Sequence, residues 1–176
     1  MCIRDRDKIV PKNWPSFRGS GGSGVADGQH PPLQWDVSKG ENVTWKTAIP
    51  GLSVASPVIW DDRIYLTTAI NSDSTSGFRI GLYGDVAPVD ELTQHVWKVM
   101  ALSATTGEIL WEQTAHSGIP KVKRHTKSSQ NNSTPVTNGE VVVALFGAEG
   151  MFCYSKDGEL LWQKDLGAVS YTHLRA

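Results

Sequence analysis

The sequence predicts an all-β chain, a partial β-propeller with about two four-stranded antiparallel blades and an irregular N-terminal arm. Three recurrences carry this prediction. The segments around Trp45 (42–48), Trp111 (108–114) and Trp162 (159–165) each read as a short strand with a large inward aromatic followed by a polar residue. Ser56-Pro57-Val58-Ile59 repeats as Thr134-Pro135-Val136-Thr137, each followed by a turn and a second strand. Val99 to Ser103 repeats as Met151 to Ser155, and each copy runs through a glycine turn into the tryptophan strand.

In chain order, the first unit spans roughly 56–114 and the second roughly 134–165. The first hairpin turns at Asp61-Asp62 into Arg63 to Thr68. The second turns at Asn138-Gly139 into Glu140 to Phe146. Asn-Gly favours a two-residue hairpin because both positions tolerate positive φ. The run from Val141 to Phe146 is apolar at successive positions, which predicts a strand buried on both faces between neighbouring blades. The turns Thr105-Thr106-Gly107 and Lys156-Asp157-Gly158 then lead into the two later tryptophan strands. An insert at 71–97 separates the middle strands of the first unit, with a short helix expected after Pro88. Trp45 is expected in an earlier or circularly closing outer strand. Residues 13–42, rich in Gly, Ser and Pro, form the arm, and 43–167 hold the blades. Residues 1–12 and 168–176 break the pattern and resemble read-through of foreign sequence, so they are expected to be a non-native leader and tail. Two blades do not close a propeller of roughly four to eight, so the expectation is a truncated chain with exposed blade faces.

Composition narrows the partners. A net charge of −1 gives no global field for nucleic acid. No run approaches the ~18 apolar residues of a membrane span. The chain has 17 glycines and seven tryptophans, which suits many turns between short aromatic-anchored strands. Cys2 and Cys153 are too few and too far apart for a disulfide framework, and Cys153 in an apolar run reads as a small buried hydrophobe.

Ala101-Leu102-Ser103-Ala104-Thr105-Thr106-Gly107-Glu108-Ile109-Leu110-Trp111 resembles the tryptophan-docking repeat of PQQ-like (quinoprotein-type) propellers, Ala-x-Asp-x-x-x-Gly-Lys-x-x-Trp. Ala101, Gly107 and Trp111 match; Ser103 stands for Asp and Glu108 for Lys. A second, one-residue-shorter copy keeps Gly158 and Trp162. The resemblance implies that each such tryptophan, Trp45 included, docks on a peptide plane of the next blade. Trp14-Pro15-Ser16-Phe17-Arg18-Gly19 and the stretch 120–133 also look like exported members of this group. It implies a periplasmic or secreted location, with the outer-membrane assembly lipoprotein as a functional analogue by fold.

The quinoprotein dehydrogenases of the same fold bind PQQ with calcium. This chain has no adjacent cysteine pair and no oxygen-rich carboxylate cluster. Asp85, Asp90 and Glu91 read as solvated loop acids. No cofactor, metal or catalytic residue is therefore assigned, and PQQ and calcium enter only if a longer protein is the enzyme. None of His30, His95, His116, His125 and His173 has zinc-ligand spacing. One loop stands out as a candidate binding segment. Lys121, Lys123, Arg124, His125 and Lys127 crowd between two blades without an intervening acid, which suits an anion, a sugar or a protein partner at a propeller end. The function expected is a non-enzymatic exported scaffold binding a protein or a small polar ligand. The alternative is part of a PQQ-dependent dehydrogenase whose active-site residues lie outside this chain.

Overall fold

The computed structural model describes residues 13–26, 28–73, 77 and 88–167. They form two four-stranded antiparallel sheets, each a propeller blade with its strands in sequence order. The first blade comprises β1 (Val58–Trp60), β2 (Arg63–Asn71), β3 (His95–Ser103) and β4 (Ile109–Gly118). The second comprises β5 (Val136–Thr137), β6 (Val141–Leu145), β7 (Met151–Ser155) and β8 (Leu160–Lys164). The proposed leader and tail lie outside the described residues, as do Asp85 and about half of the insert, 74–76 and 78–87.

Several local readings change. β3 begins at His95, so Trp97 lies inside the strand rather than in the insert, paired with Ala69 and His116. After Pro88 the chain is not helical. Val89 instead makes an isolated antiparallel bridge with Arg124 of the inter-blade loop. The proline there disfavours helix for the residue preceding it, and the partner that keeps the following residues extended is far away in sequence.

The core lies between the blades. Tyr65, Ala69, Trp97, Val99 and Ala101 of the first blade meet Val142, Ala144, Phe146, Phe152 and Tyr154 of the second, with Val58 at the inner edge. Period-2 alternation puts these residues on facing sides. β6 is consequently not buried on both faces as its composition suggested. Val142 and Ala144 are fully buried, whereas Val141, Val143 and Leu145 are only half-buried. One face meets the first blade and the other meets no sheet among the described residues.

The arm ties the blades at their inner edges. Trp14 bridges Ile59, and the Thr137 amide donates to the Pro15 carbonyl at 2.9 Å. Further on, Leu52 bridges Ala69, and Thr68 Oγ1 donates to Pro50 O at 2.7 Å. This holds residues 45–52 along the first blade without their forming a strand.

Candidate functional site

Two kinds of site converge on the blade junctions: tryptophan seats, and an ion-paired loop at one end. Each seat is a glycine turn. Gly107 (φ 74°) and Gly158 (φ 90°) adopt the left-handed conformation that glycine occupies without penalty. They also leave room for a ring. A Cβ on Gly107 would lie 2.4 Å from Trp45 Cε3, and one on Gly158 would lie 2.9 Å from Trp111 Cδ2. The indole N–H completes the seat. Trp45 Nε1 donates to Ala104 O at 3.0 Å, and Trp111 Nε1 donates to Lys156 O at 2.8 Å. Trp111 thus joins the first blade to the second, between Tyr65 and Tyr154 with both ring centroids 6.1 Å away. Ala101 is the cross-strand partner of Trp111 and is fully buried beneath it. Trp45 sits on the first blade from the segment that precedes β1 and lies in no strand, contrary to its reading as an outer strand. Trp162 is 41% exposed, and no glycine turn meets it among the described residues.

A further seat escaped the repeat comparison. Trp60 lies over the second hairpin, where a Cβ on Gly139 would come within 2.3 Å of Trp60 Nε1. Its signal was the Asn-Gly turn, but nothing in the sequence pairs that turn with Trp60.

Gly107→Val tests the seats directly. The branched side chain collides with Trp45 and enforces an unfavourable positive φ, so about 2 kcal/mol or more of stability should be lost. Limited proteolysis should then cut first within 40–52, and a variant whose arm resists protease as well as the parent would refute the seat.

The basic loop reads differently in the structure than in the sequence. Arg124 is not an open cation. Its guanidinium is buried and reaches Glu91 Oε1 at 2.9 Å and Ser128 O at 3.0 Å. Glu91 is correspondingly not a solvated acid: its side chain is 6% exposed and also meets His95 Nε2 at 3.4 Å and Gln130 Nε2 at 3.3 Å. Lys123 pairs with Asp90 at 2.6 Å. Lys121 pairs with Asp165 at 3.2 Å, while its amide donates to buried Glu149 at 2.8 Å. His125 is exposed, with Nδ1 accepting the Lys127 amide at 3.1 Å. The acids missing from the loop's own sequence arrive from the insert, from the β6–β7 turn and from the end of β8. A sequence window cannot show them.

Burial raises the Glu91 pKa, but hydrogen bonding and charge from Arg124, the Gln130 bond and the charge of His95 outweigh this and leave it below the ordinary 4.5. A carboxylate held below its unfolded pKa adds stability that is complete above that unfolded value. The contribution disappears as pH falls through the folded value. Between neutral pH and about pH 3, the urea midpoint of the parent should therefore fall more steeply than that of Glu91→Gln. Parallel curves would exclude this role.

Two histidines flank Trp97, whose ring centroid lies 5.5 Å from His95 and 5.2 Å from His116. His116 Nε2 in turn approaches Glu149 Oε2 at 3.3 Å. Asn131 is fully buried. Its Nδ2 donates to Ser53 Oγ and to Thr67 Oγ1, both at 2.9 Å, which fastens the loop to the first blade.

The model of the family described as outer membrane protein assembly factor BamB, a PQQ-like repeat family, matches residues 24–173. The chain belongs to this family. The match takes in both blades and starts after Trp14 to Gly19. No curated protein matches the chain. For a PQQ-like repeat chain, the question of cofactor fit is direct. Asp90 and Glu91 are engaged by Lys123 and Arg124, and among the described residues no three His, Cys, Asp or Glu side chains cluster as metal ligands. Cys153 is buried and unpaired, its thiol pKa pushed up by burial. The described residues therefore do not fit PQQ with calcium, and no chemical step is assigned through them.

Proposed function

We propose that this PQQ-like propeller chain serves as a non-enzymatic, exported binding scaffold, and that a protein partner meets it at the end formed by the insert and the inter-blade loop. The observation that carries the reading is the ion pairing there. Arg124 and His95 are held by Glu91, Lys123 by Asp90 and Lys121 by Asp165, which makes a platform of offset charges rather than a set of groups poised for acid–base work. Exposed Leu92, Ile119 and Val122 occur in the same two segments and offer apolar contact. The family's description as an outer membrane protein assembly factor supports an assembly role at the bacterial envelope. No helix among the described residues is long and apolar enough to cross a membrane.

Photo-crosslinking in cells from Leu92 and Val122 tests the proposal. Crosslinks to outer-membrane assembly proteins are expected from these positions and not from exposed Trp35 on the arm. Equal crosslinking from all three positions would defeat it. So would dye-linked alcohol oxidation by the purified protein supplied with PQQ and calcium.

A further inference from the structure

The β5–β6 hairpin turn carries a chemically labile dipeptide. Asn138 is exposed, and it is the only asparagine in the sequence that glycine follows. The side-chain carbonyl of an asparagine can be attacked by the main-chain nitrogen of the next residue, and a side chain on that residue obstructs the approach. Gly139 has no side chain. The fold then arranges groups around the reacting atoms. Asn138 Oδ1 accepts from the Glu140 and Val141 amides, both at 3.0 Å, so the oxygen on which negative charge would develop already faces two donors. The Gly139 N–H, whose proton must leave, donates to Thr137 Oγ1 at 3.0 Å, and that hydroxyl donates onward to Val141 O at 2.8 Å. Packing prevents a safer residue at 139. Its φ is 92°, and a Cβ there would lie 2.3 Å from Trp60 Nε1. The contact with Trp60 of the first blade therefore keeps a glycine directly after an exposed asparagine.

We propose that Asn138 is a self-modification site: the turn converts its own amide to a cyclic imide and then to aspartate or isoaspartate, and the isoaspartate form loosens the contact between the blades. Hydroxide takes the Gly139 N–H proton and becomes water. The nitrogen attacks Asn138 Cγ, and the new N–Cγ bond leaves an oxyanion on Oδ1 between the Glu140 and Val141 amides. Collapse of this intermediate breaks the Cγ–Nδ2 bond. Nδ2 takes a proton from water and departs as ammonia, which regenerates the hydroxide. A second water then opens the imide. Addition at Cγ restores the ordinary main chain with aspartate at position 138. Addition at the main-chain carbonyl leaves Gly139 joined through Cγ, which is isoaspartate. Nothing is oxidised or reduced. The isoaspartate route lengthens the main chain by one methylene inside the turn and shifts Gly139 from beneath Trp60. The Thr137 amide, which donates to Pro15 O at 2.9 Å, lies next to the altered link, so the tie to the arm is disturbed as well.

Peptide mapping by mass spectrometry of the purified protein, incubated in mildly alkaline buffer, tests the proposal. Asn138 should convert about tenfold faster in the folded protein than in a synthetic peptide spanning 134–145, because the two donors are in place before the attack. Exposed Asn42, followed by branched Val43, should stay intact over the same period. Glu140→Pro deletes one of the two donors and should slow conversion in the folded protein about tenfold or more. The isoaspartate fraction, separated by ion exchange, should unfold at a lower urea concentration than the parent. An Asn138 that survives in the protein while the peptide converts would overturn the proposal, and this comparison holds even where Glu140→Pro does not fold. A folded Glu140→Pro chain that converts at the parent's rate would overturn the role of the donors. An isoaspartate fraction as stable as the parent would overturn the loosening of the blades.

Discussion

Trp97→Ala should be the most damaging single substitution in the chain, at about 3–5 kcal/mol. Trp97 is fully buried at the centre of the inter-blade core. Removing it takes away the surface between His95 and His116 and leaves a cavity that two flanking strands cannot easily close. It also orphans the Gln130 carbonyl, which accepts from Trp97 Nε1 at 3.1 Å and anchors the inter-blade loop. Set against a typical domain stability of about 5–15 kcal/mol, this is a large share. Trp97→Phe separates the two effects. It retains most of the ring but not the donor, and should cost about 1–2 kcal/mol. Urea denaturation followed by circular dichroism measures both, and equal losses for Ala and Phe would show that volume is not what matters.

Arg124→Met is expected to cost about 3–5 kcal/mol, because it leaves the Glu91 carboxylate buried without its principal cation. The pair itself need not be worth that much. Burying both charges is expensive, and Arg124 Nε is buried with no hydrogen-bond partner. Glu91→Leu combined with Arg124→Met should therefore recover most of the loss, since two apolar side chains need no compensation. The double-mutant cycle isolates the coupling. If the double variant is as unstable as Arg124→Met alone, the Ser128 and His125 carbonyl contacts of Arg124 carry the stability, and the Glu91 pair does not.

These two residues also mark where a linear reading ends. Arg124 and its neighbouring lysines formed an acid-free cationic run, which in isolation looks like an anion site. Glu91, Asp90, Glu149 and Asp165, separated from the run by tens of residues, neutralise it once the chain folds. The sequence repeat begins at Val99 and so leaves Trp97 in the insert. Its strand starts earlier because the β2–β3 ladder extends to Asn71 and His95, a pairing that the shorter second blade does not share.

By itself, the sequence determined the blade grammar: four antiparallel strands per unit, a proline-led inner strand, a glycine turn and a tryptophan on the outer strand. These features are local and repeat, so periodicity and turn chemistry expose them. Only the tertiary structure decided which charges are spent in pairs, that Trp45 occupies a seat from a segment outside any strand, and that Trp162 has no seat among the described residues. The reason is physical. Strand and turn preferences act between near neighbours, whereas burial and charge compensation depend on which distant segments the fold brings together.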